Sequence, residues 1–119
     1  FNPEALETMP NVKSWLAHAE PAYEVVKTCC GHLPQDEQVH ALVLENVAIQ
    51  LVHLQNHPSV ASRLAAGKLS LHGWFFDINT GEIHALGQDG EFHLVDGKSE
   101  VPVAVPARVR GAGRFEKAA

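Results

Sequence analysis

The chain has 119 residues, 45% of them hydrophobic and 19% charged, with a formal net charge of −5. That is enough for one small domain around one core, and its nine Lys and Arg are too scattered for a nucleic-acid footprint. No apolar run approaches the ~20 residues of a membrane span, and no segment has the basic start and apolar middle of a secretory leader. The two cysteines, Cys29 and Cys30, are adjacent. Neighbouring cysteines rarely bridge each other, so no disulfide framework is expected and a reducing, cytoplasmic compartment is favoured.

Phe1 to Glu7 is short and mixed. Asn11 stands as an N-cap after Pro10, and Val12, Trp15, Leu16 and Ala19 recur at helical spacing. Pro21 falls at a break or kink. Tyr23, Val25, Val26 and Cys29 continue the helical pattern, giving an expected helical region over 11–30 that stops at Gly31.

The strongest helical pattern covers 35–56. Asp36 and Glu37 suit the positive end of its dipole. Val39, Leu42, Val43, Val47, Leu51 and Leu54 form one stripe, and Leu44, Ala48 and Val52 form a second beside it. An arc that wide is expected to be buried on two sides. A chain of this length has difficulty covering it, so a partner chain or a further part of the same chain is the expected cover. Left alone, the chain is expected to be unstable or aggregation-prone. A short helix over 59–66 follows, ended by Gly67.

A β region comes next. Strands are expected over 69–78, 82–86 and 91–95. Asn79-Thr80-Gly81 forms the first turn, with Gly81 supplying a positive φ. Gly73 marks a bulge or close backbone approach. Val101 to Val109 carries two prolines and is extended without being a central strand. Residues 1–109 are therefore read as one α/β portion and 110–119 as a loosely held tail.

Several groupings invite chemistry. His53 and His57 lie four apart on one helical face, a spacing that suits a metal. His57, however, sits at the helix end before a proline, and no HExxH pattern is present, so a surface or capping role is preferred. Cys29-Cys30-Gly31-His32 has its cysteines too close for an ordinary zinc site. As a nucleophile with a histidine base it lacks an orienting third group. Two small thiols at a helix end is the simpler reading. Asp77 and Glu82 flank a turn and read as solvated turn residues rather than an acid/base pair. Trp74, Phe75 and Phe76 read as core or subunit contact. Gly-x-Ser-x-Gly, GxGxxG and P-loop patterns are absent. No residue of this chain is assigned a catalytic, cofactor-binding or metal-ligating role.

One set of motifs is more specific. Leu71-His72-Gly73-Trp74-Phe75-Phe76-Asp77-Ile78 with Thr80-Gly81 resembles the late strand and hairpin of β-class carbonic anhydrases. Glu45-Asn46-Val47, Gln50, Leu54, His57-Pro58 and Val60 resemble the long helix before it, and Gly67-Lys68-Leu69 joins the two. Met9-Pro10-Asn11-Val12 with Trp15-Leu16 resembles the helix that follows the zinc site in bacterial members. The resemblance covers roughly residues 5–95.

The resemblance implies an α/β fold, the C-terminal part of that family's architecture, with helices on a mainly parallel sheet that ends in a hairpin. It implies zinc-dependent, reversible hydration of carbon dioxide to bicarbonate, with zinc lowering the pKa of a bound water. The family's zinc ligands occupy Cys-x-Asp-x-Arg and His-x-x-Cys segments, and neither pattern occurs here. Both segments belong upstream of the matched region. The chain is thus expected to be the C-terminal half of such an enzyme, inactive alone. It would supply scaffold and dimer interface to an upstream half, or to a second chain, that carries the metal. Some members have a non-catalytic bicarbonate pocket that uses a tyrosine in this strand. Phe76, at the corresponding position, lacks that hydroxyl. Two other readings stand beside this one: a non-catalytic scaffold or interaction domain derived from the family, and a carbonyl sulfide or carbon disulfide hydrolase of the same fold.

Overall fold

A computed structural model describes residues 2–105. The proposed tail at 110–119, and the last residues of the extended 101–109 segment, lie outside them. The chain divides into two compact units between Ile49 and Gln50.

The first unit is helical. Helix α1 (Pro10–Leu16) starts on Pro10, which has a preset φ and no N–H to leave unpaired. Met9 rather than Asn11 is therefore the N-cap, and it contributes no side-chain bond. A 3-10 turn over Ala17–Ala19 leads into α2 (Glu20–Cys30), with Pro21 in its first turn. The helical region over 11–30 is thus divided, because a proline is tolerated at a helix start and not in its interior. Ala22 and Val26 are the buried residues of α2, one turn apart on one face. After Gly31 the Gln38 side chain donates to the carbonyls of Gly31 at 3.3 Å and Leu33 at 2.7 Å. These bonds tie the loop after α2 to the first turns of α3 (Gln35–Asn56).

Helix α3 is apolar over a wide arc, yet Leu51 is its only buried residue among those described. Val39, Val43, Val52 and Leu54 are all classed as exposed. Of the remaining residues in the two stripes, Leu42, Leu44, Val47 and Ala48 are half-buried, so the expected burial on two sides is only partly met within this chain.

The second unit holds the end of α3, then α4 and a small sheet. Helix α4 (Pro58–Ala65) again begins on a proline and buries Leu64. Its end is closed by two bonds, Lys68 N–H to the Arg63 carbonyl at 3.0 Å and Gly67 N–H to the Leu64 carbonyl at 3.1 Å. Gly67 has φ +69. This is the paired-bond helix stop that glycine makes accessible.

Strands β1 (Trp74–Asp77), β2 (Glu82–Leu86) and β3 (Phe92–Leu94) form a sheet in the order β1-β2-β3, antiparallel throughout. The α/β class stands. The strands of a mainly parallel sheet are not among the described residues, since turns as short as these permit only antiparallel pairing. β1 is shorter than the expected 69–78. Among the described residues Leu69 to His72 has no neighbouring strand, and Leu71 makes only an isolated antiparallel bridge with Val105. The Asp77↔Glu82 pair closes the first hairpin. Gly81 there has φ +74 and donates to the Asp77 carbonyl at 2.7 Å. Ala85 and Leu86 of β2 are buried.

Candidate functional site

The β1 hairpin carries the most distinctive residues, and its geometry separates two faces. Trp74 lies opposite Ala85 and Phe76 opposite Ile83, and directly paired residues share a face. Ala85 is fully buried, whereas Trp74 is 52% and Phe76 57% exposed. Ile78, just past the strand, is 83% exposed. β1 also forms one edge of the sheet. The aromatic cluster is therefore an outward-facing apolar strip and not a core. Phe75 points the other way and meets the His84 ring at a centroid distance of 6.2 Å. Gly73 is buried, and its carbonyl accepts from Leu86 N–H at 2.8 Å. Backbone at Gly73 thus extends the β1–β2 ladder by one bond.

The polar residues at the turn are occupied by the turn itself. The Asp77 carboxylate accepts from Asn79 N–H at 2.8 Å. Thr80 Oγ1 donates to Glu82 Oε2 at 3.3 Å, and the same hydroxyl accepts from Glu82 N–H at 3.3 Å. Glu82 also lies 3.5 Å from His84 Nε2. The two carboxylates brace a hairpin and present no shared proton. His72 is exposed, before the start of β1 and away from the turn.

His53 lies in the last turn of α3, while His57 is the N-cap of α4 in an extended conformation. The helical register that would align the two rings ends at Asn56. The His57 ring instead hydrogen-bonds the Ser59 hydroxyl at 2.9 Å.

Cys29 Sγ and Cys30 Sγ lie 2.8 Å apart at the end of α2, and either thiol can donate. Cys29 is exposed and Cys30 half-buried. The Cys30 thiol is pushed above its ordinary pKa, first by its hydrogen bond with Cys29, then by burial and by the negative charge of Cys29 and Glu45. Residue spacing alone did not reveal this contact, because adjacent positions on a helix do not face each other.

The turn between β2 and β3 holds a further polar pair. Asp89 Oδ2 lies 2.7 Å from His93 Nε2, and Asp89 Oδ1 accepts from Glu91 N–H at 3.1 Å. The Glu91 amide, then His93, hold the Asp89 carboxyl below the usual carboxylate range. The histidine partner of Asp89 is set by the register of β3, which pairs His93 with Ala85.

In the first unit a cleft of about 240 Å³ is lined by Leu6, Leu16, Lys13, Glu20, Tyr23 and Glu24, among others. Its charged groups sit on helix surfaces, and its lining contains no Ser, Cys or His.

The residues described do not fit a zinc site. No group of three His, Cys, Asp or Glu is placed to hold a metal among them. The cysteine pair alone falls short of the four ligands such a site uses. No helix among the described residues is long and apolar enough to cross a membrane.

Comparison with known proteins places the chain. The carbonic anhydrase family model matches residues 2–83. A carbonic anhydrase of Pseudomonas aeruginosa is 43% identical over 81 residues, 68% of this chain and 36% of that protein. One from Synechocystis is 40% identical over 87 residues, 73% of this chain and 31% of its own length. Carbonic anhydrase 1 of Escherichia coli O157:H7 is 38% identical over 107 residues, covering 89% and 45%. Among solved structures, the β-carbonic anhydrase CcaA superposes with a TM-score of 0.75 at 35% identity, over 87% of this chain and 45% of that one. The chain belongs to the carbonic anhydrase family, and its fold is that of the β class. It spans from about a third to just under half of the length of the relatives it matches.

Proposed function

We propose that this chain is the scaffold-bearing part of a zinc-dependent β-class carbonic anhydrase, an enzyme that interconverts carbon dioxide and bicarbonate. In this reading the zinc ligands lie on residues outside this chain, and the chain by itself catalyses nothing. The observation that carries the reading is a pairing. The family match runs over residues 2–83, yet the sequence has neither Cys-x-Asp-x-Arg nor His-x-x-Cys. No substitute ligand set is grouped among the described residues.

The exposed apolar residues support the same reading. Trp74, Phe76 and Ile78 on the hairpin, and Val39, Val43, Val52 and Leu54 on α3, are large apolar side chains left exposed, and grouped exposed apolar residues mark interaction surfaces. In the proposed enzyme they are covered by the ligand-bearing part and by a second subunit, in a cytoplasmic homodimer or larger oligomer.

The test combines three measurements on native material: the intact mass of every chain present, zinc per chain, and carbon dioxide hydration. The expected result is zinc and activity only where this chain is accompanied by residues carrying the family's Cys and His ligands. Zinc bound stoichiometrically by this chain alone, with hydration activity, would overturn the proposal. A defined partner bound with no activity would support the interaction-domain alternative. Faster turnover of carbonyl sulfide than of carbon dioxide would move the assignment to that substrate.

A further inference from the structure

The proposed enzyme has no use for the thiol pair at the end of α2, and the pair has the geometry of a bidentate soft ligand. Cys29 Sγ and Cys30 Sγ are 2.8 Å apart, Cys29 is exposed, and neither is in a disulfide. Two sulfurs this close on one short stretch of backbone can close a small ring on a single thiophilic atom.

Three alternatives fit less well. A disulfide between the two is disfavoured, because consecutive Cα atoms are about 3.8 Å apart while disulfides want roughly 4.4–6.8 Å. Zinc wants four ligands, and no third His, Cys, Asp or Glu joins the pair among the described residues. A single nucleophilic thiolate is opposed by the thiol–thiol hydrogen bond, which favours the protonated form of Cys30. The remaining fit is an atom that takes two sulfurs and brings its own third substituent. Soft thiol donors select such centres.

We propose that Cys29 and Cys30 form a dithiol site for monosubstituted trivalent arsenicals. With hydrated phenylarsine oxide, two S–As bonds form and two As–OH bonds break. The two hydroxyls leave as two waters with the thiol protons. Arsenic stays trivalent and neither sulfur is oxidised, so neutral thiols suffice as the starting state.

The test uses the full chain in native buffer with phenylarsine oxide and intact-mass detection. One phenylarsenic group per chain is expected, less the two thiol hydrogens. It should survive washing with excess 2-mercaptoethanol and be released by 2,3-dimercaptopropanol. The second S–As bond is intramolecular, so losing it weakens retention by about 10²–10⁴-fold. Cys29→Ser and Cys30→Ser should each show that loss, with far-UV circular dichroism confirming unchanged helicity. A parallel reaction in urea separates the folded site from the bare sequence, with uptake in native buffer expected to reach the same stoichiometry. The proposal fails if the adduct forms only in urea, if the monothiol strips it from the wild-type chain, or if either serine variant retains it equally. The release comparison on wild-type chain decides the matter even if a variant does not fold.

Discussion

Phe76→Thr separates an interface role for the hairpin from a folding role. Phe76 is 57% exposed on the face it shares with Trp74. A phenylalanine side chain offers about 200 Å², so roughly 110 Å² remains for a partner to cover. At ~25 cal/mol per Å² that is about 3 kcal/mol. Threonine keeps a methyl group and a good strand propensity, which leaves a net loss of ~2 kcal/mol. In a two-fold symmetric dimer with this strip at its interface the change enters twice, raising the dissociation constant by about 10³-fold. Within the chain itself the substitution is a surface change, expected to stay within about 0.5 kcal/mol. Sedimentation equilibrium of the assembled protein reads the first quantity, and circular dichroism of the chain reads the second. A dissociation constant within about threefold of wild type would refute the interface reasoning. So would a loss of strand structure in the chain as large as the loss in assembly.

Four other outcomes follow from the geometry. Gly81→Ala should cost about 1–2 kcal/mol from its left-handed φ alone, since an added Cβ meets nothing within 4 Å. Gly81→Asn should cost less, and urea midpoints compare the two. Leu64→Ala should cost about 2–5 kcal/mol as a buried truncation, whereas Leu54→Ala, at 47% exposure, should cost stability only through the surface that covers it in the assembly; thermal melts of the assembled protein at two concentrations decide, since only the Leu54 effect should depend on concentration. Cys29→Ala removes the first cause of the raised Cys30 pKa, so Cys30 should be alkylated faster by iodoacetamide near neutral pH; an unchanged rate would contradict that hydrogen bond. The Asp89 carboxyl is held low in the folded chain. Its contribution is present above the unfolded carboxylate pKa and is lost as pH falls through the lowered folded value. Asp89→Asn should flatten the acid limb of the stability profile, with NMR titration of the Asp89 carboxyl locating the window.

The sequence by itself determined the local elements whose signals are local. Periodicity marked 35–56, where α3 runs from Gln35 to Asn56. Asn79-Thr80-Gly81 marked the hairpin, because a left-handed residue at that point calls for glycine. It also carried the family, in motifs spread from Met9 to Gly81, and excluded the family's ligand patterns by simple absence. Tertiary structure decided what depends on neighbours. Leu69 to His72 alternates like a strand, but only a paired neighbour makes a strand, and among the described residues only Leu71 of that stretch makes a bridge, with Val105. His53 and His57 share a helical spacing that the prolyl start of α4 annuls. The Trp74 and Phe76 rings read equally as core or contact from sequence, since alternation does not say which face is covered. On edge strand β1 both rings are left exposed, although Trp74 is paired with the buried Ala85. The meeting of Cys29 with Cys30 likewise depends on side-chain rotamers at a helix end, which no residue pattern encodes.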